Sequence, residues 1–195
     1  MRLTSFCRLV CAMAACALCV ACTKLSPGGL WALRDFDFEH FDPALLRVAL
    51  YLPSHIGIGP DALRIDTKVR TRPDATPQVE HFVMRASGEA VDAAALPGAA
   101  AGRWVVLRLD APEVERVRAL RQRVLAQKAQ ASGHGSLTLG LAPNLCHTGA
   151  TPEGDARISA ALYWTPDKGY VTLLRDADFE SLRSMLSELP DMTRC

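Results

Sequence analysis

"RIDTKVRTR", residues 64–72, sets Arg64, Asp66, Lys68, Arg70 and Arg72 on one side of the chain and Ile65, Thr67, Val69 and Thr71 on the other. Successive side chains of a strand point to opposite faces, so strict alternation predicts an antiparallel strand with one wet and one dry face. Working outward, "RVALYLP" at 47–53 places Val48, Leu50 and Leu52 on one face, and Pro53 closes the run. Further strands are expected at 79–85, 104–109, 136–141, 157–164 and 170–174, separated by turns containing Gly, Pro and Asp. Short strands at this spacing predict a mainly β chain with helices, folded as an antiparallel β-sandwich of about seven strands.

Two helices interrupt the pattern. A crossover helix is expected near 111–130, with Asp110 as N-cap, Pro112 in the first turn, Glu113 and Glu115 on the positive end of the dipole and basic residues gathering towards Lys128. Val114, Val117, Leu120 and Val124 share one arc of the helical wheel, the width of a core-facing stripe. A short C-terminal helix is expected near 177–189, with Phe179, Leu182, Leu186 and Leu189 on one face and Pro190 ending it. "SGEAVDAAALPGAAAG", residues 87–102, has neither periodicity and reads as a mobile loop. With no internal repeat and no interdomain linker, residues 30–195 form a single domain, long enough for a proper core.

The N-terminus is organised differently. Arg2 and Arg8 precede an apolar stretch from Leu9 to Ala21, which is too short for a spanning helix of about 20 residues and suits a cleaved export signal over 1–21. "CVAC", residues 19–22, resembles the lipobox of bacterial lipoproteins, with Val20 and Ala21 in place and Cys19 where that family usually carries Leu. The resemblance implies that Cys22 becomes the first residue of the mature chain and is diacylated. Thr23, which is not Asp, then implies sorting to the outer membrane, facing the periplasm. Residues 22–29 read as a polar tether, and two acyl chains on one residue anchor the domain to the membrane without a spanning helix. An ordinary signal cut nearby, giving a soluble periplasmic protein, is the alternative, because Cys19 and Ala21 also satisfy a small-x-small rule.

Of the seven cysteines, Cys7, Cys11, Cys16 and Cys19 leave with the signal and Cys22 takes the lipid, so Cys146 and Cys195 remain. In an oxidising compartment two remaining cysteines are expected to pair. That bridge would close a loop of about 50 residues, for about 4 kcal/mol in the chain-entropy model. Without Arg2 and Arg8 the 22 basic residues fall to 20, against 21 acidic, and this balance argues against a nucleic-acid partner.

Residues 133–149 hold His134, Asn144, Cys146 and His147, which in principle supply a thiol nucleophile and a base. Neighbours on an extended segment point apart, so Cys146 and His147 are badly placed to share a proton, and a bridge to Cys195 would occupy the thiol. Neither a catalytic residue nor a metal ligand set is assigned: the Cys/His spacing fits no short zinc pattern, and no metalloprotease, serine-hydrolase or phosphate-loop motif occurs. No cofactor is expected. "GHGS", residues 133–136, reads as a turn entering a strand. Arg116, Arg118, Arg121, Arg123 and Lys128 scatter around the helix, as on a solvated helix, whereas a lipid-binding helix gathers its charges on one face. Arg121 and Lys128 fall within its apolar arc, where long stems can lie over the sheet.

The stretch "WALRDFDFEHFD", residues 31–42, carries Trp31, Phe36, Phe38 and Phe41 among acids. These aromatics are either a partner-binding edge, for instance for another envelope protein, or rings buried over an open end of the sandwich. The expected function is a lipid-anchored, non-enzymatic binding or assembly module of the envelope. The alternative is an envelope hydrolase or transferase with a Cys/His centre around 134–147.

Overall fold

The strand expected at 47–53 is β1 (Arg47–Pro53), and the alternating stretch lies in β2 (Ile56–Arg70), where exposed Arg64, Lys68 and Arg70 flank buried Leu63, Thr67 and Val69. The computed structural model describes residues 26–70, 76–91, 96, 102–130, 136–149, 157–178 and 193–195, so Thr71 and Arg72 lie outside it. The other strands are β3 (Gln78–Ala86), β4 (Gly102–Leu109), β5 (Ser136–His147), β6 (Arg157–Tyr163), β7 (Val171–Asp178) and β8 (Thr193–Arg194). The helices are α1 (Pro27–Ala32) and α2 (Ala111–Gln130).

The strands do not divide into the two sheets of a sandwich. They form one sheet in the order β7-β6-β1-β4-β3-β2-β5-β8, curled into a half-barrel. Every pair is antiparallel except β5 and β8, which run parallel. Alternation demands only that each strand have one covered face; it does not say what covers it. Here α2 and the aromatic residues 36–41 cover the dry face, so Val114, Val117 and Leu120 share one core with Phe41, Leu52, Phe82 and Leu107. Burying each large apolar side chain in that core stabilises the fold by about 1.5–3 kcal/mol.

Curling follows from the connections. β1 and β2 are joined only by Ser54 and His55, although β4 and β3 stand between them in the sheet. β2 solves this by bending: its pairing with β5 slips between Ile58 and Leu63, around Gly59 and Pro60, and only Leu63–Val69 pairs with β3. The first residues of β2 thus run back towards the end of β1. A bulge with Gly and an unpaired Pro is the usual means of such a bend.

Helix α2 begins as its sequence requires. The Glu113 N–H donates to Asp110 Oδ1 (3.0 Å) and the Val114 N–H to the Asp110 carbonyl (2.9 Å). Arg85 pairs with the same carboxylate. Asp110→Ala is therefore expected to cost about 1 kcal/mol, read as a lower urea midpoint at unchanged slope.

Two further expectations change on folding. Ala177 and Asp178, placed at the start of a C-terminal helix, end β7 instead, paired with Ile158 and Arg157 of β6; residues 179–189 lie outside the described residues. Ladder pairing outweighs helix propensity there. Of the loop at 87–102, Ser87 bonds the Val106 carbonyl (2.9 Å), and Val91 and Leu96 pack on the convex face with Ala49, Trp104 and Ala161. Those described parts are docked, and Gly102 already belongs to β4.

At the other end, α1 lies directly on β7. The Ser26 N–H donates to the Leu173 carbonyl (2.9 Å), and Ser26 Oγ accepts from the Gly29 N–H (3.2 Å). A side chain at Gly29 would meet the Thr172 carbonyl oxygen at 2.1 Å, so only glycine permits this contact.

Candidate functional site

The concave face of the half-barrel is not filled by α2. Leu63, Ile65 and Thr67 of β2 stand opposite Pro143, Leu141 and Leu139 of β5, and their side chains share the dry face. They open into a groove of about 510 Å3 that continues past Leu50 and Leu52 to Leu173 and Leu174 of β7. Among the described lining residues Thr67 alone is polar, and no charged side chain is present. Leu139 and Leu141 are 53% and 48% exposed, although the sheet turns both towards the core side.

The size of this groove sets an energetic problem. An enclosed apolar cavity costs about 24 cal/mol per Å3, on the order of 10 kcal/mol for such a volume and comparable with the whole stability of a domain. Opening one side to water replaces part of that cost with about 25 cal/mol for each Å2 of wetted apolar wall. A hydrocarbon occupant removes both costs, whereas a charged one would lose its hydration without any partner.

The aromatic stretch forms one wall. Phe36 and Phe41 meet at a tilt with centroids 5.0 Å apart, Phe38 and Phe41 likewise at 5.8 Å, and Phe36 meets Trp164 edge-on at 6.1 Å. All three phenylalanines line the groove, whereas Trp31 turns out to solvent, 67% exposed, with the Arg34 guanidinium 4.3 Å over its ring. The segment is tied to α2 by polar contacts: Arg118 pairs with Asp42 (3.1 Å), Lys128 pairs with Glu39, and Arg121 donates to the Phe41 carbonyl. Arg116 and Arg123 of α2 also pair, with Glu113 (2.8 Å) and Glu80 respectively. The basic residues of the helix thus hold its surroundings together.

On the convex face, Asp66 accepts from His81 Nδ1 (2.6 Å) and Arg64 Nε (2.9 Å). Partial burial pushes its carboxyl pKa up, but the bonds from His81 and Arg64 outweigh that and hold it below the usual carboxylate range. A depressed carboxylate contributes stability that is present above its unfolded pKa and lost as pH falls through the folded value. Asp66→Asn is accordingly expected to leave a shallower acid limb in a plot of unfolding free energy against pH, with the neutral-to-alkaline part parallel to wild type.

The Cys/His region is drawn out along β5. Cys146 and Cys195 bring their sulfurs to bonding distance (2.10 Å), with Cα atoms 5.1 Å apart. Next to them the Cys195 N–H donates to the His147 carbonyl (3.0 Å), while His147 Nδ1 lies 2.7 Å from the Gly149 carbonyl. His147 and Cys146 occupy successive strand positions, and His134 lies outside the described residues. Among the described residues no group of three His, Cys, Asp or Glu is placed to hold a metal ion. Cys22, Thr23 and the whole signal segment also lie outside them, and no described helix is long and apolar enough to cross a membrane.

The groove residues are what sequence reading missed. "SLTLGLAP", residues 136–143, shows Leu137, Leu139 and Leu141 on one face, which identifies a strand. Nothing in that pattern tells a covered leucine from one beside an open groove. Compared with family models, curated proteins and solved structures, the chain matches none.

Proposed function

We propose that this chain is an exported envelope protein, anchored to the outer membrane through lipid on Cys22, whose half-barrel works as a non-enzymatic binding module. The observation that carries the binding role is the groove: about 510 Å3 lined by hydrocarbon, with Thr67 the one polar side chain among its described walls. Such a surface is suited to holding an apolar group. The anchoring half of the reading rests on the "CVAC" signal at residues 19–22 and on the polar tether after it.

Two measurements test the two halves. The protein extracted from its own envelope is expected to have the mass of residues 22–195 plus acyl groups, and to take up thiol label only after reduction. An unlipidated mass would overturn the anchor. In a null strain, His134→Ala and His147→Ala are expected to restore the wild-type phenotype, whereas Leu141→Arg, which brings a charge to the groove, is expected to reproduce the null. Loss of function in either folded histidine variant would overturn the binding module in favour of a Cys/His enzyme.

A further inference from the structure

We infer that the Cys146–Cys195 bridge is a redox-operated clasp: an external dithiol opens it at the Cys195 sulfur, and β8 then leaves the edge of the sheet while the rest of the domain stays folded. This inference is independent of the groove.

Access, attachment and seating carry it. The two halves of the bridge differ in access, Cys146 being 5% exposed and buried in β5 whereas Cys195 is exposed. Thiol–disulfide exchange depends on which sulfur the incoming thiolate can reach, so attack falls on Cys195. Apart from the bridge, β8 is weakly attached. Among the described residues it pairs with β5 alone, at Cys146 and His147, and the Cys195 N–H adds one bond to the His147 carbonyl (3.0 Å). Thr193 and Arg194 are both exposed, so their release uncovers no core, and water replaces the few ladder bonds that are lost. The closed form is seated on Gly57, which faces Cys146 in the β2–β5 ladder. A Cβ at Gly57 would stand 2.5 Å from Cys195 Sγ and 3.1 Å from Cys146 Sγ, so the sulfurs fill the space that a side chain of β2 would take.

In the opening step a thiolate of the dithiol bonds to Cys195 Sγ as the S–S bond breaks. The electron pair leaves on Cys146 Sγ, which takes a proton from water. The second thiolate of the dithiol then displaces the Cys195 sulfur, which is protonated in turn, and the reagent becomes the disulfide. Two electrons thus pass from dithiol to bridge, and Cys146 stays in its ladder while Cys195 and β8 are free to move away.

The test uses the protein purified from its own cells, without denaturant. Reduced glutathione, a monothiol that traps the first step, is expected to form its mixed disulfide on Cys195 in at least tenfold excess over Cys146, as mapped by mass spectrometry of peptides. After dithiothreitol, hydrogen exchange at residues 193–195 should rise to the rate of an unstructured chain while α2 amides remain protected. Cys195→Ser should show the same pattern without reductant. Gly57→Ala should shift the balance in a glutathione redox buffer towards the dithiol form about tenfold or more. Opening only at the rate of global unfolding, or glutathione mainly on Cys146, would overturn the inference. So would residues 193–195 that stay protected in the reduced chain or in Cys195→Ser, loss of α2 protection with them, or a balance that Gly57→Ala leaves unchanged.

Discussion

Phe82→Ala is expected to lower the unfolding free energy by about 3–4 kcal/mol, in the lower half of the range for emptying a core phenylalanine site. Phe82 is 2% exposed, stands opposite Ile65 in the β2–β3 ladder, and has the Arg116 guanidinium of α2 5.1 Å from its ring centroid. Its removal takes away one of the side chains through which helix and sheet share a core. The ring also walls the groove, so the vacated space merges with an opening that already exists, and a newly sealed void is not added to the loss. For a chain of this size about 1 kcal/mol corresponds to 2–4 °C, so the midpoint should fall by roughly 10 °C. A loss below about 1 kcal/mol in urea unfolding would mean that α2 does not pack on β3.

Breaking the link between Cys146 and Cys195 is expected to cost about as much. The two residues are 49 apart in sequence, and closing a loop of that length restricts the unfolded chain by about 4 kcal/mol in the entropy model. Beyond the bond itself, β8 has only two residues, paired with Cys146 and His147. So short a strand has too few ladder bonds to stay in place by itself. Cys195→Ser, Cys146→Ser and the double variant should therefore show the same loss in urea unfolding, because each removes one shared interaction. Reductant should bring wild type to the same level. Additive single-variant losses, or insensitivity to reductant, would show that the two sulfurs are not joined.

How much of this was legible depends on the range of the interaction involved. The 111–130 helix announces itself through Asp110, Glu113 and the Val114, Val117, Leu120 stripe, all contacts within a few residues, and it forms over Ala111–Gln130. β1 likewise matches its expected span, since alternation is local. The helical apolar spacing that follows Ala177 and Asp178 predicts helix for both, yet their ladder partners are Ile158 and Arg157, some 20 residues back. Local spacing contains no term for a partner at that separation. The Cys146–Cys195 pairing is legible for another reason, the number of cysteines that an export signal over 1–21 and a lipidated Cys22 would leave, and not from any geometry.

Taken by itself, the sequence determined that the chain is mainly β, that the alternating strands have a dry face, where α2 begins, and that Phe36, Phe38 and Phe41 are either covered or used. These are properties of periodicity and capping, decided within a turn or a strand. Only the tertiary structure decided that the strands join one curled sheet and not two, that β5 and β8 run parallel at its edge, and that the phenylalanines form a wall while Trp31 faces water. The same dry face serves a sandwich and a half-barrel equally well. The choice between them lies in the bend of β2 at Gly59 and Pro60 and in the two-residue link from β1.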